Sequence, residues 1–236
     1  MDREKARRRW YTPDQFANDE PLRQLIYETA GPESRVLDAG AGAGDLFKYE
    51  LKGRVAEMIG VDLDPRVETN SQLDRGIQAD LTDIPLEDES IDVVFSRYVL
   101  EHVAEPGRFL GEMARVLKPG GSIIFLTPNK WHYVSLASRL TPHAFHNWYN
   151  RQRGRQDDDT FPTAYLLNSR SDVKRHFRTA GFQCETLVML ECCPNYLILS
   201  MPTFLAGVAY ERLVNATELF AGFRVNILGS FKKVTE

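Results

Sequence analysis

Three glycines at every second position are the most informative feature of the sequence. Gly40, Gly42 and Gly44 follow a short apolar run that ends at Asp38 and Ala39. Glycines allow a tight turn and let the backbone approach a ligand closely, beside the free amides that begin a helix. A dinucleotide fingerprint has the spacing G-x-G-x-x-G, whereas this loop has G-x-G-x-G. Because an acid precedes the first glycine by two residues, the loop favours a cationic ligand over a pyrophosphate. We therefore expect a cofactor site between a strand and a following helix.

Two further acidic residues lie where later apolar runs end. Asp62 is followed by Leu63, and Asp80 is followed by Leu81. A carboxylate at the end of the second strand can accept both hydroxyls of a ribose. An acid beside an apolar residue is also suited to bracket an adenine ring. Each acid taken singly is equally well explained as a turn former. Open α/β sheets bind ligands at the carboxyl ends of their strands, so the three acids together indicate a binding edge.

Short β-branched runs alternate with segments of helical periodicity, which indicates βαβ units and a parallel sheet covered on both faces. The sequence predicts an α/β fold of the doubly wound, Rossmann-like type. Seven strands are expected at 35–38, 58–62, 76–79, 91–96, 122–127, 183–190 and 224–232. Helices are expected at 22–29, 109–117, 169–180 and 203–220.

The length of 236 residues favours one large domain. Residues 1–31 are expected to form an N-terminal helical cap and 34–129 the cofactor-binding core. Residues 130–168 show no clean period and are expected to form a lid or substrate insertion after the fifth strand. Residues 169–236 are expected to complete the sheet, with one helix inserted between the last two strands.

Composition excludes several classes of protein. With 43% hydrophobic residues and a net charge of -4, the chain is neither collagen-like nor disordered, and it does not suit a general nucleic-acid coat. Its three cysteines do not have disulfide or zinc spacing, which favours reduced thiols, a cytoplasmic location and no metal. The longest uncharged run, 192–210, contains prolines and a glycine, so no transmembrane segment is expected, although peripheral membrane contact is compatible with it.

Five segments in a fixed order carry a family resemblance. They are VLDAGAGAGD, GVDLD, the Ala-Asp pair at 79–80, SIDVVFSRYVLEHV and PGRFLGEMARVLKPGGSIIFLTPN. Together they resemble class I S-adenosylmethionine-dependent methyltransferases over residues 34–129, and more loosely over the remaining strands. The resemblance implies a seven-stranded sheet whose last strand is antiparallel. It also implies S-adenosylmethionine as cofactor and S-adenosylhomocysteine as product.

The resemblance also assigns roles to individual residues. The glycine loop would hold the methionine part of the cofactor and Asp62 the ribose hydroxyls. Asp80 and Leu81 would hold the adenine, and residues 96–98 would line the methyl-donor pocket. The expected cofactor-binding residues are Asp38, Ala39, Gly40, Ala41, Gly42, Asp62, Leu63, Asp80, Leu81, Ser96, Arg97 and Tyr98.

Candidates for the acceptor side are fewer. His102, just past the fourth strand, is the best candidate for a base, since a histidine of near-neutral pKa can take a hydroxyl proton. Packing or helix capping by His102 is the alternative. Aromatic and histidine residues suit a closing substrate pocket, although ordinary packing also explains them. The residues expected to contact a substrate are Tyr11, His132, His146 and Tyr149.

Several functions are compatible with these patterns. The main hypothesis is methyl transfer to oxygen or nitrogen of a small molecule, by a monomer or a homodimer. The alternatives are C-methylation in quinone or lipid biosynthesis and non-catalytic binding of S-adenosylmethionine. The segment Thr127–Lys130 lacks the Asn/Asp-Pro-Pro-aromatic motif of enzymes that methylate nucleic-acid amino groups, so no nucleic-acid partner is expected. The glycine spacing argues against a nicotinamide dehydrogenase.

Overall fold

The structure is a computed structural model. It describes residues 10–11, 19–45, 48–140, 162–194, 196–197 and 200–235, with the side chains of 138–140 excepted. The predicted substrate residues His146 and Tyr149 lie outside the described residues.

A single seven-stranded sheet organises the chain, with the strand order β3-β2-β1-β4-β5-β7-β6. β7 runs antiparallel to both of its neighbours, and the other strand pairs are parallel. The prediction of a doubly wound, mostly parallel sheet with an antiparallel last strand is therefore confirmed. The strands are β1 (Arg35–Ala39), β2 (Glu57–Asp62), β3 (Arg75–Gln78), β4 (Ile91–Arg97), β5 (Leu117–Pro128), β6 (Phe182–Leu190) and β7 (Asn226–Lys233).

Helices cover both faces of this sheet. They are α1 (Glu20–Thr29), α2 (Pro106–Val116), α3 (Tyr133–Leu140), α4 (Arg170–Thr179) and α5 (Met201–Ala216), with 3-10 helices at Pro65–Thr69 and Glu218–Phe223. One apolar cluster joins the sheet to α2 and α4, and a second joins it to α1. Central strands buried on both faces explain the nearly continuous apolar runs in the sequence.

Side-chain caps define two of the helix starts. The Ser169 hydroxyl accepts a hydrogen bond from the Asp172 amide at the start of α4. Ser200 and Thr203 form a reciprocal capping box at the start of α5. Such caps satisfy amides that a helix leaves free at its first turn. Within the described ranges, none of the helices is long and apolar enough to cross a membrane.

The expected helix after the glycine loop is absent from the described residues between β1 and β2. Glu50 has φ +48° and Gly53 has φ +76°, which are left-handed conformations that interrupt a helix. Tyr49, Leu51 and Val55 are buried along this segment, and their spacing does not follow one helical face. The segment is a chain of turns because its side chains anchor it to the core one at a time.

Several element boundaries differ from the prediction, most of all those of α5 and β5. The helix expected at 203–220 is α5, which ends at Ala216, because Thr217 caps the separate 3-10 helix that follows. β5 begins at Leu117 instead of 122, with a register shift against β4. The aperiodic segment 130–168 contains α3.

Candidate functional site

The glycine loop lies at the carboxyl end of β1, where the chain order of the sheet reverses between β1 and β4. The Gly40 amide donates to the Val61 carbonyl oxygen over 2.8 Å, which ties the loop to β2. Gly40 has φ +95°, and a Cβ atom there would lie 2.2 Å from Val99 Cγ2. This position therefore requires glycine on both conformational and steric grounds. A crevice at such a switch point is where open α/β sheets bind ligands.

Asp62, the last residue of β2, holds the middle of the loop. Its Oδ2 atom accepts from the Gly42 amide over 2.8 Å, and its Oδ1 atom accepts from the Asp64 amide over 2.9 Å. A carboxylate offers about four lone-pair positions, so these two bonds leave acceptor capacity on both oxygens. Asp62 therefore combines a structural contact with the ability to accept hydrogen bonds from ligand hydroxyls.

Asn70 supports the same loop from the other side, and sequence reasoning missed it. Its side-chain amide donates to the carbonyl oxygens of Ala41 and Gly42, each over 3.3 Å. A Cβ atom at Gly44 would lie 2.2 Å from Asn70 Oδ1. Asn70 follows the first 3-10 helix, and no local motif marks it. The close contact at Gly44 nevertheless explains the third glycine of the loop.

Asp38 is buried near the carboxyl end of β1. The Tyr49 hydroxyl donates to Asp38 Oδ2 over 2.7 Å, and the Tyr49 ring packs edge-on against Phe95. Burial raises the pKa of Asp38 to about 7, although the Tyr49 hydrogen bond opposes this shift. Sequence reasoning found Asp38 but missed its partner.

Asp80 and Leu81 follow β3, as predicted. The Asp80 carboxylate accepts from the Thr82 amide and the Thr82 hydroxyl, both over 2.8 Å. These hydrogen bonds lower the pKa of Asp80. Leu81 packs against the core, whereas Leu63, after β2, is 56% exposed. Asp80 thus forms a turn at the same edge of the sheet as Asp62.

The end of β4 brings together three of the predicted residues. Ser96 is fully buried, and its hydroxyl has no hydrogen-bond partner among the described residues. Arg97 forms an ion pair with Asp19 over 2.7 Å, and its guanidinium lies 4.8 Å from the Tyr98 ring centroid. Tyr98 has φ +56°, and its hydroxyl accepts from the Asn226 side chain over 3.1 Å. β4 is thereby connected to both the N-terminal segment and β7.

His102 and its neighbour Glu101 lie in the turns after β4. His102 Nδ1 donates to the Pro162 carbonyl oxygen over 2.9 Å, which joins these turns to the segment before α4. Glu101 is buried and accepts from the Thr127 hydroxyl over 3.1 Å. Burial raises the pKa of Glu101 to about 7. Sequence reasoning chose the histidine of this segment and overlooked the buried acid beside it.

Tyr11 lies away from the glycine loop, against α5. Its hydroxyl donates to Glu211 Oε2 over 3.0 Å, and its ring meets Phe204 edge-on. Cys193 and Val208 complete this small apolar cluster. Tyr11 therefore anchors the N-terminal segment to the helix inserted between β6 and β7.

His132 and Glu191 form a second group of buried titratable side chains. The His132 side chain is 1% exposed and that of Glu191 is 5% exposed, with 3.7 Å between Nε2 and Oε2. Burial lowers the pKa of His132 to about 4 and raises that of Glu191 to about 8. Both groups are therefore mainly uncharged at neutral pH. Sequence reasoning singled out His132 and missed Glu191, which carries no motif.

Two other features bear on ligand binding, a cavity and the distribution of possible metal ligands. A cavity of about 380 Å³ is lined by Asn129, Trp131, Lys174 and Met189, among others, and by none of the predicted cofactor residues. In the part of the chain that the structure describes, no three histidine, cysteine or acidic side chains are grouped as metal ligands would be.

Known proteins are similar to this chain in sequence. Residues 37–125 match the family model described as a methyltransferase domain. An uncharacterized methyltransferase of Mycobacteroides abscessus is 33% identical over 160 residues, which cover 62% of this chain and 61% of that protein. A probable S-adenosylmethionine-dependent methyltransferase of Mycobacterium tuberculosis is 36% identical over 122 residues, covering 45% of this chain and 41% of that protein.

Structural similarity extends over more of the chain. Geranyl diphosphate C-methyltransferase from Streptomyces coelicolor, in complex with Mg²⁺, geranyl diphosphate and S-adenosyl-L-homocysteine, has a TM-score of 0.58 at 16% identity. The match covers 92% of this chain and 79% of that one, and at this identity it shows the fold alone. The chain spans less than two thirds of the length of the curated relatives that it matches first.

Proposed function

We propose that this chain, which is similar to class I S-adenosylmethionine-dependent methyltransferases, transfers a methyl group from S-adenosylmethionine to a small molecule. A cytoplasmic location belongs to the same proposal. When bound, S-adenosylmethionine supplies a methyl group made electrophilic by the adjacent sulfonium. The protein then has to bind the cofactor and align the acceptor, since proximity and orientation contribute about 7–11 kcal/mol to such a reaction.

The observation that carries this proposal is the clamp between Gly42 and Asp62. The loop after β1 is fixed against the carboxylate that ends β2, and this carboxylate keeps lone pairs for the two hydroxyls of a ribose. Gly40 and Gly42 would hold the methionine part, and Asp38 lies buried below them. The residues present therefore fit the cofactor.

The predicted residues after β3 and at the end of β4 would complete the same cofactor site. Asp80 and Leu81 would face the adenine from the end of β3. Ser96 and Tyr98 would border the methyl donor at the end of β4, where the Ser96 hydroxyl lacks a partner among the described residues. His102 stays a candidate base beside them.

Oxygen or nitrogen is the proposed methyl acceptor atom. A structural neighbour that is a C-methyltransferase keeps carbon as the second candidate. Non-catalytic binding of the cofactor is the third, because the same acids would serve it. Turnover of S-adenosylmethionine in the presence of an acceptor separates the third candidate from the other two.

Calorimetry with S-adenosylhomocysteine and with NAD tests the cofactor. We expect binding of S-adenosylhomocysteine in the micromolar range, and Asp62→Ala is expected to weaken it about tenfold or more, because ligand hydroxyls lose a charged acceptor worth about 1.5–3 kcal/mol. Asp83→Ala, which removes an exposed acid near the same edge, is the matched control. Binding of NAD without binding of S-adenosylhomocysteine would refute the proposal.

A further inference from the structure

The His132–Glu191 pair has a geometry that packing alone does not explain. His132 precedes α3 and Glu191 follows β6, so the two residues come from distant parts of the chain. The 3.7 Å between Nε2 and Oε2 exceeds the length of a direct hydrogen bond. A buried polar atom normally has a partner, yet His132 Nε2 has none among the described residues.

The hydrogen-bond pattern decides which nitrogen of His132 carries the hydrogen. The Val134 amide donates to His132 Nδ1 over 3.4 Å. In a neutral imidazole the other nitrogen is then the donor. Burial keeps this ring neutral by lowering its pKa to about 4. His132 therefore directs an unused N–H group towards the Glu191 carboxyl group.

Glu191 is the complementary half of the pair. Its Oε2 atom accepts from the Val225 amide over 2.8 Å, and no lysine or arginine forms an ion pair with it among the described residues. The charged and titratable groups that face it are His132, Tyr210, Glu211, Arg224 and Cys192. Burial, with a smaller contribution from Glu211, raises the pKa of Glu191 to about 8.

We propose that this pair binds one hydroxyl group of the methyl acceptor, whose oxygen accepts from His132 Nε2 while its hydrogen is donated to Glu191. A hydroxyl is both acceptor and donor, so it satisfies the two sides at once. A protonated amine has no lone pair for the N–H donor, and a neutral amine is a weaker hydrogen-bond donor to Glu191 than a hydroxyl. The inference rests on the proposed function and narrows it to O-methylation.

Three tyrosines define the body of such an acceptor. The rings of Tyr133, Tyr210 and Tyr196 have centroids 4.2, 5.5 and 6.1 Å from that of His132. All three side chains are only partly buried, so they form a rim around the buried pair. Aromatic rims favour flat, apolar ligands with one polar end. The acceptor class is therefore an alcohol on an aromatic or apolar body, with a phenol as the simplest member.

The rim of tyrosines also extends towards the end of β4, where the cofactor is proposed to bind. Tyr196 lies close enough to Tyr98 to contribute to the raised pKa of the Tyr98 hydroxyl. Tyr98 directly follows β4 and is one of the residues proposed to border the methyl donor. The hydroxyl site and the proposed cofactor site are therefore joined by side chains along the carboxyl edge of the sheet.

Glu191 also provides a destination for the proton. As the hydroxyl oxygen bonds to the methyl carbon, its O–H bond breaks and the proton passes to ionised Glu191. The electron pair of the methyl–sulfur bond stays on sulfur. A base whose pKa lies near the working pH is best suited to this step. His132, which already carries its hydrogen on Nε2, acts as the positioning donor.

Phenol and anisole are the probes that test the site, because anisole has the same ring but cannot donate a hydrogen bond. We expect phenol to bind the wild-type protein about fivefold more tightly than anisole, as one net hydrogen bond provides. Phenol is also expected to shift the His132 Nε2 resonance in ¹⁵N NMR. Equal binding of the two probes, no binding of phenol at millimolar concentration, or an unmoved resonance would overturn the proposal.

Two variants make the test specific. His132→Phe keeps an aromatic ring among the tyrosines but removes the Nε2 donor, so it is expected to weaken phenol binding about fivefold, whereas His176→Gln in α4 is expected to leave phenol binding unchanged. Glu191→Gln retains an oxygen for the Val225 amide. In the wild type, phenol binding is expected to tighten as the pH rises through about 8, and in Glu191→Gln this dependence is expected to vanish. Undiminished phenol affinity in His132→Phe, or a persistent pH dependence in Glu191→Gln, would overturn the proposal.

S-adenosylhomocysteine binding separates the two proposals. We expect His132→Phe and Glu191→Gln to bind it as the wild type does. If the wild type binds phenol as described but not S-adenosylhomocysteine, the proposed function fails and the hydroxyl site stands. If it binds S-adenosylhomocysteine but does not distinguish phenol from anisole, only the hydroxyl site fails.

Discussion

The two ends of the carboxyl edge hold their acids in different ways. Between β1 and β3, Asp62 and Asp80 are fixed by backbone amides and remain accessible at the sheet edge. After β6 and in α5, the side chains of Glu191 and Glu211 are buried, and Glu191 meets His132 from a distant part of the chain. In the first arrangement, hydrogen bonds from Thr82 lower the pKa of Asp80. In the second, burial raises the pKa of Glu191 to about 8.

The largest effect on either group of acids is expected from a substitution in the glycine loop. In Gly40→Ala, the new Cβ atom would clash with Val99, and the alanine would keep a φ that residues with a side chain disfavour. We therefore expect a loss of about 2–4 kcal/mol in unfolding free energy and loss of S-adenosylhomocysteine binding. Gly53→Ala is the control, because its φ is also positive but no atom lies within 4 Å, and about 1 kcal/mol is expected. Urea unfolding measures both. Equal losses would show that the contact with Val99 does not matter.

The buried acids predict how stability depends on pH. Glu191, Asp38 and Glu101 have pKa values raised by burial, so the folded state binds more protons than the unfolded state between about pH 4 and 8. The stabilisation is complete below the unfolded pKa values and is lost as the pH rises through the folded ones. We therefore expect the unfolding free energy to fall across this window.

Glu191→Gln isolates one share of that slope. A group that is protonated in the folded state and ionised in the unfolded state changes the unfolding free energy by at most about 1.4 kcal/mol per pH unit. Glu191→Gln is expected to remove this contribution of Glu191 below pH 8. The exposed Glu87→Gln serves as control and should leave the slope unchanged. Denaturant titrations between pH 5 and 8.5 measure it. A slope in Glu191→Gln equal to that of the wild type would mean that Glu191 ionises as it does in the unfolded chain.

A smaller effect on stability is expected at Asp38, the buried acid near the carboxyl end of β1. Tyr49→Phe removes the hydroxyl that donates to Asp38, and we expect a loss of about 1 kcal/mol in unfolding free energy. The pKa of Asp38 should rise further above about 7, because the hydrogen bond that stabilises its ionised form is gone. NMR titration of the Asp38 carboxyl carbon checks the direction. A lower pKa would contradict the role given to Tyr49.

The positions of the glycine loop and Asp62 at the carboxyl edge of the sheet could be predicted from the sequence because their geometry is local. Asp62 immediately follows an apolar run in the sequence. The close contact between Val99 and position 40 requires a glycine there, and this glycine is visible in the sequence. The strands were located for the same reason, since short apolar runs bounded by turn residues specify them over a few residues.

The partners of these residues were not readable. Tyr49, Asn70 and Glu191 act through contacts with residues that are distant in sequence, and no spacing rule identifies them. The prediction of a helix after the glycine loop was wrong for a related reason. Tyr49 and Leu51 are drawn into the core singly, and this tertiary packing overrides the usual strand-helix alternation.

The position of β7 has a consequence for the order in which the chain is built. β6 pairs only with β7, and β7 lies between it and β5, so β6 has no place in the sheet until residues 226–233 have been synthesised. The Asn129 side chain likewise donates to the carbonyl oxygens of Gly222 and Arg224 just before β7. During translation β1 to β4, which carry the glycine loop and Asp62, can assemble early, whereas the surroundings of Glu191 must wait for these long-range contacts. A ribosome-bound chain would thus complete the proposed cofactor site before the proposed hydroxyl site.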